Sequence, residues 1–178
     1  SYLEGRKCDG IFHLPFFEIE NFLFSEEIIT GVIAKYSRDK ENAFVNLKAA
    51  LKSDLISKKE QWVIRKIAFH LRETFFSGKV KRLKDFSDLK AEYTSFSSSI
   101  DLEALHTRYK AEIQQVIDTD DYNTFLRYYD NKGIFTMFLP QLKLENKIPY
   151  REAVFAYLNE HKNVLAELRE KYFPCITV

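Results

Sequence analysis

Apolar residues recur at helical spacing along most of this chain. Ile28, Ile29, Val32, Ile33 and Tyr36 share one helix face, and Ser25-Glu26-Glu27 ahead of them reads as a helix start, a capping serine with two acids in the first turn. A second helix is predicted over about Lys40–Leu51, with Phe44, Leu47 and Leu51 inward. A third opens on Ser57-Lys58-Lys59-Glu60, the spacing of a capping box. Its apolar stripe is Ile64, Ile67, Ala68, Leu71 and Phe75, and Gly78 supplies a stop. A short helix near Phe86–Tyr93 gives way to a loop at Ser97-Ser98-Ser99. Leu102, Leu105, Tyr109, Ile113 and Val116 predict a helix over Ile100–Asp118, followed by a break and a new cap at Thr119-Asp120-Asp121. Tyr122–Tyr129 reads as a short helix. The last helix is predicted over about Arg151–Lys171, with His161 on its apolar stripe and Pro174 as its stop.

One segment departs from this period. Gly10-Ile11-Phe12-His13-Leu14 is short, apolar and β-prone, and Pro15 ends it. The pattern therefore predicts a mainly α fold, a helical domain with one short N-terminal strand. A lone strand leaves backbone groups unpaired on both edges. Its partners are either a weak strand elsewhere or a sheet lying outside this sequence.

Composition narrows the class. The chain has 178 residues, 46% hydrophobic and 15% aromatic, enough for one domain over residues 1–178 with a real core. Glycine (5) and proline (4) are scarce, in keeping with long helices. A net charge of +1 gives no whole-chain attraction for polyanions, so any basic surface is local. Cys8 and Cys175 stand near opposite ends, and without a signal-like segment a structural disulfide is not expected. No apolar run reaches membrane-span length, so the expectation is a soluble, cytoplasmic protein. The chain opens on Ser1 and not Met, which reads as a fragment of something longer.

Three constellations carry candidate chemistry. The run Leu14-Pro15-Phe16-Phe17-Glu18-Ile19-Glu20-Asn21-Phe22-Leu23-Phe24 sets two carboxylates and a carboxamide inside an apolar segment. Carboxylates so placed are costly unless paired, and two of them one residue apart invite a hard cation such as magnesium. The plain alternative is a surface Glu18 with Glu20 or Asn21 capping the next helix. Asn131-Lys132-Gly133, ahead of apolar Ile134–Leu139, places a lysine where it can meet a phosphate, or is simply a turn with an exposed lysine. The segment from Lys52 to Lys90 carries eleven Lys and Arg against five Asp and Glu, a net +6 that is densest at Lys79, Lys81, Arg82 and Lys84. That is either a nucleic-acid-binding stretch or a solvated helix face. The four histidines and two cysteines lack zinc-ligand spacing, no Gly-rich phosphate loop is present, and the aromatics at helical spacing read as core more than as a base-stacking platform.

Taken together, Glu18-Ile19-Glu20-Asn21-Phe22-Leu23 after a strand, a helical stretch, and Asn131-Lys132-Gly133 before an apolar helix resemble the C-terminal part of the TOPRIM-like nuclease region. This region follows an ABC-type ATPase domain in OLD-family (overcoming lysogenisation defect) proteins. The resemblance covers about Gly10–Ile33 and Tyr128–Pro174. It implies a divalent-metal-dependent nuclease attached to an ATPase and serving in antiphage defence. On that view Glu18 and Glu20 are ligands for Mg2+ or Mn2+, and Lys132 stabilises phosphate charge. Lys79, Lys81, Arg82 and Lys84 would then hold DNA or RNA. The strand would be the end of a truncated α/β TOPRIM-like sheet.

The family's TOPRIM core also carries an earlier glutamate loop and an Asp-x-Asp strand. Neither occurs here: only Ser1–Asp9 precede the strand, and Asp9 stands alone. The N-terminal ATPase is missing as well. The expectation is a fragment inactive in isolation, with room for a homodimer. Two rivals from other classes remain. One is a non-catalytic helical interaction domain. The other is a nucleic-acid-binding adaptor, whose binding would weaken steeply with salt.

Overall fold

In the computed structural model the described residues are 19–76, 83–129, 131–145 and 148–172, with the backbone alone at Ile19, Glu20, Phe76 and Asn131. The predicted strand at Gly10–Leu14, the stop at Pro174 and both cysteines lie outside them. Among the described residues the fold is mainly α with no strand. An isolated antiparallel bridge joins Ser37 to Leu144. Contacts divide the chain into two units, Ser1–Ser53 with Asp121–Val178, and Asp54–Asp120.

The first unit begins with a 3-10 turn, Ile19–Phe24, leading into α1 (Glu26–Tyr36). Ser25 stands at the N-cap position as expected, but its hydroxyl makes no cap bond. Asn123 Oδ1 instead accepts from the Glu26 amide, from 97 residues away. The predicted stripe is the buried one: Ile28, Ile29, Val32 and Ile33 face the core. α2 (Ala43–Ser57) runs six residues beyond its expected end at Leu51, and the boundary between the units falls within it.

After the second unit the chain returns at α6 (Tyr122–Leu126), where Asp121 caps the helix by accepting from the Thr124 amide. Asp120 just before it adopts φ 51°, the left-handed conformation Asp tolerates, which makes the predicted break. α7 (Asn131–Gly133) passes directly into a π-helical turn, Ile134–Phe138, and then a 3-10 turn, Leu139–Leu142. Ser37, buried, donates its hydroxyl to the Leu142 carbonyl (2.7 Å), fixing this stretch to the end of α1.

The expected single last helix is two, α8 (Tyr150–Glu160) and α9 (Lys162–Tyr172). His161 is the break. It is half-buried at the C-cap of α8, its ring stacked on Tyr157 (4.4 Å) with Nδ1 2.9 Å from that residue's carbonyl oxygen, so it is not a core residue of a continuous stripe.

The second unit holds the end of α2, then α3 (Lys59–Phe76), α4 (Phe86–Ser99) and α5 (Leu102–Thr119). α3 and α5 pack antiparallel, with Lys59 meeting Gln114, Lys66 meeting Glu112 (2.6 Å) and His70 meeting Tyr109 (3.2 Å). The capping box expected at Ser57 does not form, because the Ser57 hydroxyl donates back to the Asp54 carbonyl (2.8 Å). The expected inward stripe of α3 is also corrected. Val63 is the buried residue, while Ile64 is 57% exposed and, with Ile67, Ala68, Leu71 and Leu102, lines an open groove of about 490 Å³. The serine cluster is helical, not a loop: Ser97 and Ser98 donate to the Thr94 carbonyl and Ser99 to the Phe96 carbonyl.

Candidate functional site

The acidic motif ends in a turn tied down at three successive points. Asn21, buried, donates its amide to the carbonyl of buried Tyr129 (2.6 Å). The Tyr150 hydroxyl donates to the Leu23 carbonyl (2.7 Å), and that of Tyr122 to the Phe24 carbonyl (2.9 Å). Carbonyls at a helical turn leading into another helix lack intrahelical donors, and these side chains satisfy them. Burial pushes the Tyr122 and Tyr150 phenols well above the ordinary tyrosine range, so both remain donors at any physiological pH.

These ties bring the two sequence motifs together. Tyr129 lies three residues before Lys132, so the Asn21 bond sets the backbone of Glu20-Asn21 against the entrance to the Asn131-Lys132-Gly133 helix. A second contact does the same from the far side. Phe24 stacks on Tyr150 (4.9 Å, 5°) and meets Phe135 edge-on (5.0 Å, 82°), and Phe135 is three residues after Lys132. Residues more than a hundred positions apart are thereby neighbours. Lys132 is exposed at the end of α7, where the helix changes from α to π. Such π turns are rare and cluster at functional sites.

Glu18 lies outside the described residues, and Glu20 is placed by its backbone in the 3-10 turn. Lys79, Lys81 and Arg82 also lie outside them, while Lys84 is exposed ahead of α4. Among the described residues no three His, Cys, Asp or Glu side chains gather at one point. No helix among them is long and apolar enough to cross a membrane.

Glu18 and Glu20 offer carboxylate oxygens, and magnesium and manganese take one or two of these with water and phosphate completing the shell. Asn21, the next residue of the motif, carries an amide oxygen as well. Its Nδ2 must face the Tyr129 carbonyl, which only accepts, and this leaves Oδ1 buried with no partner among the described residues. A buried amide oxygen without a donor is an unfilled acceptor.

The sequence reading placed Asn21 among ligands or caps and missed it as a tether. It also missed Tyr122, Tyr150 and Phe135, whose partners are backbone atoms or rings about a hundred residues distant. A scan against protein-family models gave no match, and neither the curated proteins nor the solved structures gave one.

Proposed function

We propose that this chain is the C-terminal portion of a metal-dependent, TOPRIM-like nuclease module attached to an ATPase, acting in antiphage defence and inactive alone. The observation that supports the reading best is the 2.6 Å bond from Asn21 to the Tyr129 carbonyl, because it holds the acidic motif beside the Lys132 turn. Glu18 and Glu20 would hold Mg2+ or Mn2+, which when bound supplies Lewis-acid stabilisation of phosphate oxygens. Lys132 would contribute an exposed ammonium for the charge that develops on phosphate. Asn21 positions the pair and does not itself touch substrate.

The test is Mn2+-dependent cleavage of DNA and RNA by the 178-residue chain, alone and joined to the ATPase and Asp-x-Asp core that this reading requires ahead of it. The chain alone should not cleave. With the core present, Glu20→Gln should abolish cleavage with folding intact. Lys132→Ala should lower it roughly a hundredfold or more, the usual cost of removing one preorganised charge donor. Robust cleavage by the chain alone, or full activity of Glu20→Gln, overturns the reading.

A second reading, a non-catalytic interaction domain, draws support from the open apolar groove between α3 and α5, where Ile64 and Leu102 are more than half exposed.

A further inference from the structure

α4 is unusual among the described helices in burying none of its residues. It still has two distinct sides. Leu89, Glu92 and Phe96 are half-buried, and Phe96 packs on Phe75 (4.9 Å). At about 3.6 residues per turn, Phe86, Lys90, Tyr93 and Ser97 fall together on the adjoining side, roughly a quarter-turn around the helix. Phe86 is 77% exposed and Tyr93 59% exposed, so these aromatics are not core residues as their helical spacing suggested. Tyr93 is steadied by one edge-on contact with Phe75 (5.8 Å).

The charges sort by side. Lys84 and Lys90 are exposed and have no acidic partner among the described residues. The acids of α4 are turned to other work. Asp85 accepts from the Asp88 amide and Asp88 from the Lys84 amide, both at the helix N-terminus, and Glu92 lies on the half-buried side. The exposed face thus alternates aromatic, cation, aromatic.

We infer that this face of α4 binds single-stranded nucleic acid, stacking bases on Phe86 and Tyr93 with Lys90 meeting the phosphate between them. Seven residues of helix separate the rings by about 10 Å, near three steps of a stacked strand at roughly 3.4 Å each. Aromatic platforms interleaved with cations suit single strands because a duplex keeps its base faces covered. The inference deepens the nucleic-acid part of the function proposed above, but it needs no metal.

Fluorescence anisotropy of the 178-residue chain, in EDTA, with labelled oligo-dT, oligo-U and a duplex of equal length tests it. Single strands should bind more tightly than duplex, and the dT and U arms decide between DNA and RNA. Phe86→Ala, at an exposed position, should weaken single-strand binding roughly five- to a hundredfold and leave duplex binding unchanged, while Phe86→Tyr should restore it. Lys90→Ala should reduce the salt slope by about 0.7. In a Phe86→Trp variant, bound bases should quench the new indole. Because metal is absent, failure here leaves the metal site untested, and loss of metal-dependent cleavage leaves this face standing. Three results would overturn the inference: no single-strand binding at low salt, equal binding of duplex, or unaltered binding by Phe86→Ala. A change of oligomeric state in Phe86→Ala with unaltered oligonucleotide binding would assign the face to a protein partner instead.

Discussion

Asn21 connects the acidic motif to the rest of the first unit through a single donated hydrogen bond, and its removal has a defined cost. Asn21→Ala leaves the Tyr129 carbonyl buried without its donor and should destabilise the chain by about 1–3 kcal/mol in urea unfolding. A change under about 0.5 kcal/mol, the scatter of an ordinary surface substitution, would show that the tether carries nothing. Ionisable pairs set the pH range. Burial alone would raise the Glu27 carboxyl, but the Lys171 ammonium and the Tyr172 hydroxyl hold it below its ordinary range, and Lys35 does the same for Glu160. Depressed carboxyls stabilise the fold above about pH 4.3, and this is lost as pH falls through their folded values. Tyr122 and Tyr150, raised by burial, act in the opposite sense: their contribution is complete below about pH 10 and is lost as pH climbs toward the folded values. Stability measured against pH should therefore be flat between these limits and fall on both sides. A maximum confined to one end of the range would contradict this assignment.

At the scale of elements, the close approach of α1 to α8 depends on Gly31. A Cβ there would overlap the Tyr157 ring. Helix propensity alone would make Gly31→Ala stabilising by about 1 kcal/mol. The overlap should reverse the sign, giving a net loss of about 1–2 kcal/mol. Thermal unfolding decides it, and a raised melting temperature would mean that Tyr157 simply moves aside. α5 offers a simpler case: Asp101 accepts from the Ala104 amide (2.9 Å), and Asp101→Ala should cost about 1 kcal/mol, read from the same unfolding curves.

Where a helix packs on several neighbours, its periodic stripe was legible in the sequence. The α1 stripe is buried as the pattern indicates. Where a helix has one principal neighbour, the stripe misleads. The burial of α3 follows Val63, toward α5, and not the longer run through Ile64 and Leu71. The joint at His161 was hidden because Tyr157 and Leu165 continue the period across it.

Over the whole molecule, the basic segment is less basic in its surroundings than it is in sequence. Asp54–Asp120 carries 12 Lys and Arg against 11 Asp and Glu, and its acids include those of α5 that meet α3, such as Glu112 beside Lys66. Long-range charge therefore does not mark this unit as a polyanion site, and specific faces must do so.

The residue types and spacing of the acidic motif could be read directly, whereas the bond of Asn21 to Tyr129 and the contact of Phe24 with Phe135 each span over a hundred residues. The most direct test is NMR of the 178-residue chain titrated with Mn2+. A paramagnetic ion held by Glu18 and Glu20 beside the Lys132 turn should broaden the amides of Asn21, Lys132 and Gly133 selectively. The double variant Glu18→Gln/Glu20→Gln should abolish that broadening. Broadening that spares Lys132 and Gly133, or that persists in the double variant, would contradict the account.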